Sequence, residues 1–369
     1  MGRALAAVAA ALVVAAPAAA GPPQVTAKAY LVENGATGEV LAGSHANARV
    51  PIASITKLMT VLVALEHAKL DDVVVAPPSA AAVGESTIGL RAGERISVHD
   101  LVEAALVQSA NDAAWALAAY VGKGDVNAFV RMMNAKARAI GLRETHFIRP
   151  DGLDVPGHVS SARDVTLLAR AAMRNPTIRS IVDDRNATIS GGRQLHTWND
   201  LLGTFPGMIG VKTGHTAAAG WSQVAAVRGN GFILYATILG SPTRSQRNAD
   251  LATLLHWGLS RYAAAPVVDS TREYARAEVG FGKKPVALVA PRSVVRSVRV
   301  GRPLRERVVA STAVELPVKK GQRLGEVRVY DGARLVASSP LVASRAVAKP
   351  GVVDRASWYA GQAVSSVWP

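Results

Sequence analysis

The chain has 369 residues, with 42 Lys or Arg against 27 Asp or Glu, a formal net charge of +15 and no cysteine. That length accommodates one large core and a smaller second unit. The missing cysteines exclude disulfides, thiol catalysis and cysteine-based zinc sites, so an exported chain of this composition must hold together by core burial.

The N-terminal stretch MGRALAAVAAALVVAAPAAAGPPQ has one Arg, an apolar run from Ala4 to Ala16 and small residues at Ala18 and Ala20. This reads as a secretory signal over residues 1–20, cut near Ala20. The run is shorter than the roughly 18 to 20 residues a membrane span needs. An exported protein of the cell wall or the outer face of the cytoplasmic membrane is therefore expected. Next, KAYLVENGATGEVLA places two apolar runs around a glycine turn and predicts a β-hairpin. ITKLMTVLVALEHA, DLVEAALVQS, NDAAWALAAYVG, NAFVRMMNAKARAIG and ARDVTLLARAAM carry helical spacing. Trp115 and Met132 lie in such stripes and are assigned to the core.

From Gly210 the pattern becomes strand-like, and GWSQVAAVRGNGFILYATILG holds two β-type runs around Arg228-Gly229-Asn230-Gly231. A helix over NADLATLLHWGLSRYA closes the unit. Strands at both ends with helices between them give an α/β (α+β) unit whose antiparallel sheet joins distant parts of the chain, residues 24–264. Short alternating segments such as VRSVRV and EVRVY, with turns at Lys320-Gly321 and Asp331-Gly332, predict a small β-rich domain over 266–348. The tail, 349–369, gathers Trp358, Val364, Val367 and Trp368 loosely on one side of a short helix. It is a candidate membrane-associating segment or a helix docked on the domain.

The basic surplus is uneven. Residues 262–369 hold 18 Lys or Arg against 8 Asp or Glu. Anionic wall polymers or lipid head groups fit that face, as does plain solubility; nucleic acid is disfavoured by the export signal.

GMIGVKTGHT, residues 207–216, raises the question of a phosphate loop. A Walker loop requires glycine where this chain has Val211 and Pro206, so that reading fails. Two upstream patterns supply another. Ser54-Ile55-Thr56-Lys57 stands at the start of the first long helix, and Ser109-Ala110-Asn111 at the start of a later one. An isolated S-x-x-K arises by chance about once in such a chain; the weight lies in all three patterns in this order. Ser54 and Lys57 are three residues apart, so on a helix the amine reaches the hydroxyl and can serve as its base. A bland reading of Ser54 is an N-cap. The Ser54 N–H at a helix start suits a developing oxyanion, and the His215 N–H can complete that hole. Ser109 offers a hydroxyl to relay a proton, Asn111 an amide to hold substrate, and Lys212 with Thr213 a cation and a hydroxyl for a carboxylate. Gly214 leaves room for substrate to pair along the strand edge. The histidines show no H-E-x-x-H or other metal spacing, and neither metal nor cofactor is expected.

PIASITKLMT, LVQSANDAAWALA, FVRMMNAKARAIGLRETHF, DGL followed by SSARDVTLLAR, and GVKTGHTAAAGW together resemble the penicillin-binding protein and serine β-lactamase superfamily. More narrowly, they resemble the low-molecular-mass D-alanyl-D-alanine carboxypeptidases across roughly residues 26–262, with LPVKKGQRLGEVRV matching that family's second domain. The resemblance implies an acyl-enzyme on Ser54, a peptidoglycan stem peptide ending in D-Ala-D-Ala as substrate, and covalent inhibition by β-lactams. It also implies Arg247 as a second carboxylate contact. Two departures stand out: Arg149-Pro150-Asp151-Gly152-Leu153 where the family usually shows Asn-Pro-His-Gly-Leu, and Thr197-Trp198-Asn199 for Asn-Arg-Asn. Both are expected to touch the rim of the cleft. Rival readings are a D,D-endopeptidase on cross-links, a catalytically silent penicillin sensor, and a β-lactamase; the last lacks an E-x-x-L-N segment between Asn111 and Lys212.

Overall fold

The computed structural model describes residues 5–12, 21–229 and 231–365, with the backbone alone for 5–12 and 361–365. The chain forms two compact units that divide between Ser260 and Arg261.

The larger unit is built on a five-stranded antiparallel sheet. Its strands are β1 (Ala29–Asn34), β2 (Glu39–Ser44), β3 (Met208–Thr216), β4 (Gly220–Arg228) and β5 (Ile233–Ser241), in the order β2-β1-β5-β4-β3. The N-terminal hairpin joins the C-terminal strands through β1 and β5, with Leu31 opposite Thr237. Alternation along the strands splits their side chains between two cores. Tyr30, Val32, Ala225, Val227, Leu234 and Ala236 face one core with Leu251, Leu254 and Leu255 of the closing helix. Leu31, Val224, Ala226 and Leu239 face the other, with the helices of the middle segment.

Those helices are α1 (Lys57–His67), α2 (Asn111–Val121), α3 (Val126–Ala139) and α4 (Ala162–Ala172), and the closing helix is α5 (Arg244–Ser260). Lys57 to Ala64 of α1 are all buried, so this helix is wrapped on every side rather than amphipathic. Its first residue is therefore held in the interior, although it is a lysine. Ser161 caps α4 by accepting from the Asp164 N–H. The closing helix starts earlier than its apolar spacing suggests, because Thr243 caps it by accepting from the Gln246 N–H, and its hydroxyl donates to the Gln246 side-chain oxygen. DLVEAALVQS is helical as expected, but Val98–Glu103 continues as a π-helical turn, Ala104–Gln108.

In the smaller unit, strands Leu304–Ser311, Arg323–Asp331, Arg334–Ala343, Val286–Val289 and Glu273–Ala277 follow one another in one antiparallel sheet. Asp331-Gly332 makes the turn the sequence signalled. Val267, Val286, Leu288, Leu304, Val327 and Leu341 fill the core. Tyr262–Val268 pairs with Val294–Arg299, so Pro266 lies inside a strand. That pair is two-stranded, which leaves proline a free edge. Within the expected leader, Leu5–Leu12 pairs antiparallel with Leu304–Ser311 at the sheet's other margin. The tail forms a helix, Val352–Ser365, and the Trp358 ring rests 5.2 Å from Phe281. Val367 and Trp368 lie outside the described residues. Among the described residues, no helix is long and apolar enough to cross a membrane.

Candidate active site

Ser54 sits in a single 3-10 turn, Ala53–Thr56, that leads directly into α1. Edge strand β3 runs beside this turn, and Gly214 is the point of closest approach. A Cβ at Gly214 would stand 2.6 Å from the Ile52 carbonyl oxygen and 3.2 Å from the Ile55 nitrogen. The turn that carries Ser54 by itself thus requires glycine at this position. On another side, Gly152 has φ +86° and would bring a Cβ within 2.1 Å of the Ala53 carbonyl. The 149–153 loop therefore packs against the turn that carries Ser54.

Lys57 Nζ lies 2.8 Å from Ser54 Oγ, 2.6 Å from Asn111 Oδ1 and 2.8 Å from the Asp151 carbonyl oxygen. Burial pushes its pKa down to about 7, against opposing pulls from Asp151, Glu85 and Asp112, while Arg149 pushes the same way as burial. A neutral amine has two N–H groups and one lone pair. With Asn111 Oδ1 and the Asp151 carbonyl accepting the two hydrogens, the lone pair is left for the Ser54 hydroxyl. In its neutral form the lysine has the geometry of a base for that hydroxyl.

Ser109 terminates the π-helical turn in left-handed geometry, at φ 64°. Its hydroxyl accepts from Lys212 Nζ at 2.9 Å. Lys212 is buried, and burial, followed by the charges of Lys57 and Arg247, holds its pKa well below the ordinary lysine value. Thr213 and Gly214 follow on the same strand, opposite Gln223 and Ser222. The exposed His215 ring stacks on Trp221 at 3.9 Å.

Three of the expected features make contacts that the sequence did not indicate. Asn111 is held on two sides: its oxygen accepts from Lys57, and its nitrogen donates one hydrogen to the Gly84 carbonyl at 3.0 Å. Arg247 is buried, and its Nη2 donates to Asp200 at 3.0 Å and to Asn248 at 2.6 Å. The Arg149–Leu153 departure is not on the rim. Asp151 is fully buried, and its backbone carbonyl accepts from Lys57. The second departure does lie at an exposed position: Trp198 donates its Nε1–H to the Gln108 carbonyl and carries the Arg244 guanidinium over its ring at 5.3 Å.

His158 was not singled out by the sequence, yet it supports the same turn. It accepts from the Ile148 N–H at Nδ1, so Nε2 carries the hydrogen that meets Thr56 Oγ1 at 2.8 Å. Burial lowers its pKa to about 4, and the ring stays neutral. Its only sequence signal is a histidine a few residues after the altered DGL segment. Trp115 and Met132 are partly buried against the main core, as expected. Among the described residues, His99, Asp100 and Glu103 bring three ligand atoms within 4.8 Å of one another, but none of them joins the Ser54 constellation.

Comparison with known proteins agrees with this geometry. The family model for D-alanyl-D-alanine carboxypeptidase matches residues 16–243, and that for the penicillin-binding protein 5 C-terminal domain matches 265–349. D-alanyl-D-alanine carboxypeptidase DacD of Salmonella typhimurium is 32% identical over 360 residues, covering 92% of this chain and 90% of its own. DacB2 of Mycobacterium tuberculosis, of the same name, is 35% identical over 256 residues, 66% of this chain and 86% of its own. Among solved structures, penicillin binding protein 5 from Haemophilus influenzae gives a TM-score of 0.65 at 28% identity, over 89% of this chain and 100% of that one. The Streptomyces K15 DD-transpeptidase gives 0.62 at 30% identity, over 65% and 100%. With a serine and a buried lysine already in contact and a family model spanning more than half its length, the chain belongs to the D-alanyl-D-alanine carboxypeptidase family.

Proposed function

We propose that Ser54 is the nucleophile of a serine-type carboxypeptidase that removes the terminal D-alanine from peptidoglycan stem peptides. The observation that carries the proposal is the Lys57 geometry, in which both amine hydrogens have acceptors and the lone pair faces Ser54 Oγ. Ser54 Oγ attacks the carbonyl carbon between the two D-alanines while its proton passes to Lys57. The oxyanion forms against the Ser54 and His215 N–H groups. The leaving nitrogen takes a proton through Ser109, the C–N bond breaks, and free D-alanine departs. Water then attacks the ester and gives a proton to Lys57, and the C–O bond to Ser54 breaks as Oγ regains a hydrogen. Lys212 and Thr213 bind the substrate's terminal carboxylate, which supplies the counter-charge that the buried Lys212 otherwise lacks. β-Lactams acylate the same Ser54.

Export with loss of residues 1–20 is part of this reading and rests on the Arg3, apolar-run and Ala18-x-Ala20 pattern. Removal would take the Leu5–Leu12 strand with it. Exposed Arg305, Arg307, Arg323 and Arg328 on the smaller unit suit an anionic wall polymer or lipid surface.

The test is D-alanine release from a soluble N-acylated peptide ending in D-Ala-D-Ala, using residues 21–369 with Ser54→Ala as control. Release by the parent and none by the variant is expected. No release from a parent that still binds a fluorescent penicillin would overturn the carboxypeptidase reading.

A further inference from the structure

Asp151 is an acid in an unexpected place. It is fully buried, and its backbone carbonyl is a hydrogen-bond partner of Lys57. A free carboxylate there would favour the ammonium form of the lysine and work against its use as a base. The side chain is not free. Oδ1 accepts from Arg149 Nε at 2.6 Å and from the Leu153 N–H at 3.1 Å, and Oδ2 accepts from Arg149 Nη2 at 2.7 Å. This is the two-pronged fork that arginine alone among the cations can make. Arg149 is itself fixed, with its guanidinium 5.5 Å from the centre of the Trp115 ring on α2. Both carboxylate oxygens are thus committed, and only the neutral carbonyl of Asp151 reaches Lys57.

We propose that Arg149, by clamping the buried Asp151 carboxylate, keeps Lys57 available as a base, and that the pair are positioning residues for acylation of Ser54. The proposal rests on the reading of Lys57 as that base. Other charges also face Lys57: Glu85 from the loop before Ser86, Asp112 from α2, and Lys212 from β3. Asp112 is spent on the N–H groups of Ile88 and Leu90. Arg149 is the cation that answers Asp151 directly, and the salt bridge is short and largely buried.

The two members act on Lys57 in opposite directions. Without the arginine, the uncompensated carboxylate holds the proton on Lys57. Without the carboxylate, the unpaired guanidinium drives it off. A scaffold role would instead lower the rate by one factor at every pH.

The experiment measures the second-order rate of Ser54 acylation by a fluorescent penicillin from pH 5 to 9 in the full chain from residue 21. The variants are Arg149→Met, Arg149→Lys, Asp151→Asn and the double Arg149→Met/Asp151→Asn. Label stoichiometry corrects each rate for folded protein. In Arg149→Met the acid limb should move up by about one pH unit, so that it is about tenfold slower than the parent at low pH and approaches it at high pH. Asp151→Asn should move the limb down, and the double variant should return it close to the parental position. Equal loss at all pH values in Arg149→Met, with the limb unmoved, overturns the proposal. Should that variant fail to take up label, Asp151→Asn and Arg149→Lys decide: a limb that moves up or stays fixed in Asp151→Asn is equally fatal. Lys57→Met is the separate control. If it acylates like the parent, it is the reading of Lys57 as base that falls.

Discussion

Gly214→Ala tests the contact between the KTG strand and the nucleophile turn. The added Cβ would meet the Ile52 carbonyl oxygen at 2.6 Å, where ordinary contact begins at 3.4 Å, so one of the two must yield by about 0.8 Å. Neither is a flexible side-chain end. The Ile52 carbonyl and Ile55 nitrogen flank Ser54 in its single turn, and the strand is held in register by β4 on its other edge. Overpacking of this kind costs about 1–3 kcal/mol of stability, and a nucleophile displaced by nearly 1 Å loses on the order of 10²-fold in rate. The assay is the rate of labelling by a fluorescent penicillin, read beside a thermal melt. Labelling of Gly214→Ala within about threefold of the parent would show that the strand and turn are not rigidly coupled and would refute the argument.

Further outcomes follow from other buried polar contacts. Asn111→Ala removes the acceptor that orients Lys57 and should cut the acylation rate about 10²-fold, seen in kcat rather than KM with a peptide substrate. Arg170→Met leaves Glu33, nearly fully buried, without its cation, and should cost about 3–5 kcal/mol in urea denaturation. Adding Glu33→Gln should recover part of it, and no recovery would count against the ion pair. Lys57 links stability to pH. Its folded pKa of about 7 lies below the ordinary 10.5, so between these values the unfolded chain binds the extra proton and stability rises with pH. The stability of the parent relative to Lys57→Met should therefore climb by about 1.4 kcal/mol per pH unit at most over that window. A difference independent of pH would show that Lys57 is protonated in the folded state.

The sequence showed what lies within a few residues and hid what lies across the fold. Ser54 and Lys57 are three apart on one helical turn, so their contact could be read directly. Lys212 reaches Ser109 across 103 residues, and here only the order of the motifs announced the meeting. Nothing local indicated that Asp151, 94 residues from Lys57, would offer it a backbone carbonyl. The altered residues could be seen, but their depth could not. An amide near a serine suggested a substrate contact for Asn111, but its bond to Lys57, 54 residues away, could not be read. The two cores were legible as alternation in the strands. The start of α5 was missed because apolar spacing is silent about the Thr243 cap.

The two buried lysines together explain why such a site should prefer a substrate that ends in a carboxylate. Lys57 finds two neutral acceptors and the serine, and Lys212 finds the Ser109 hydroxyl and a carbonyl. Among the described residues neither amine has a carboxylate in salt-bridge contact, and each disfavours the other's charge. A carboxylate on the ligand would be the first such partner for either amine. Under the proposed function, a terminal carboxylate beside Lys212 favours that amine's charged form, and a positive charge there disfavours a proton on Lys57. Binding and activation are then one electrostatic event. An amide-terminated peptide would forfeit both, so its loss should appear in kcat as well as in KM, whereas a carboxylate that served only as a handle would cost KM alone.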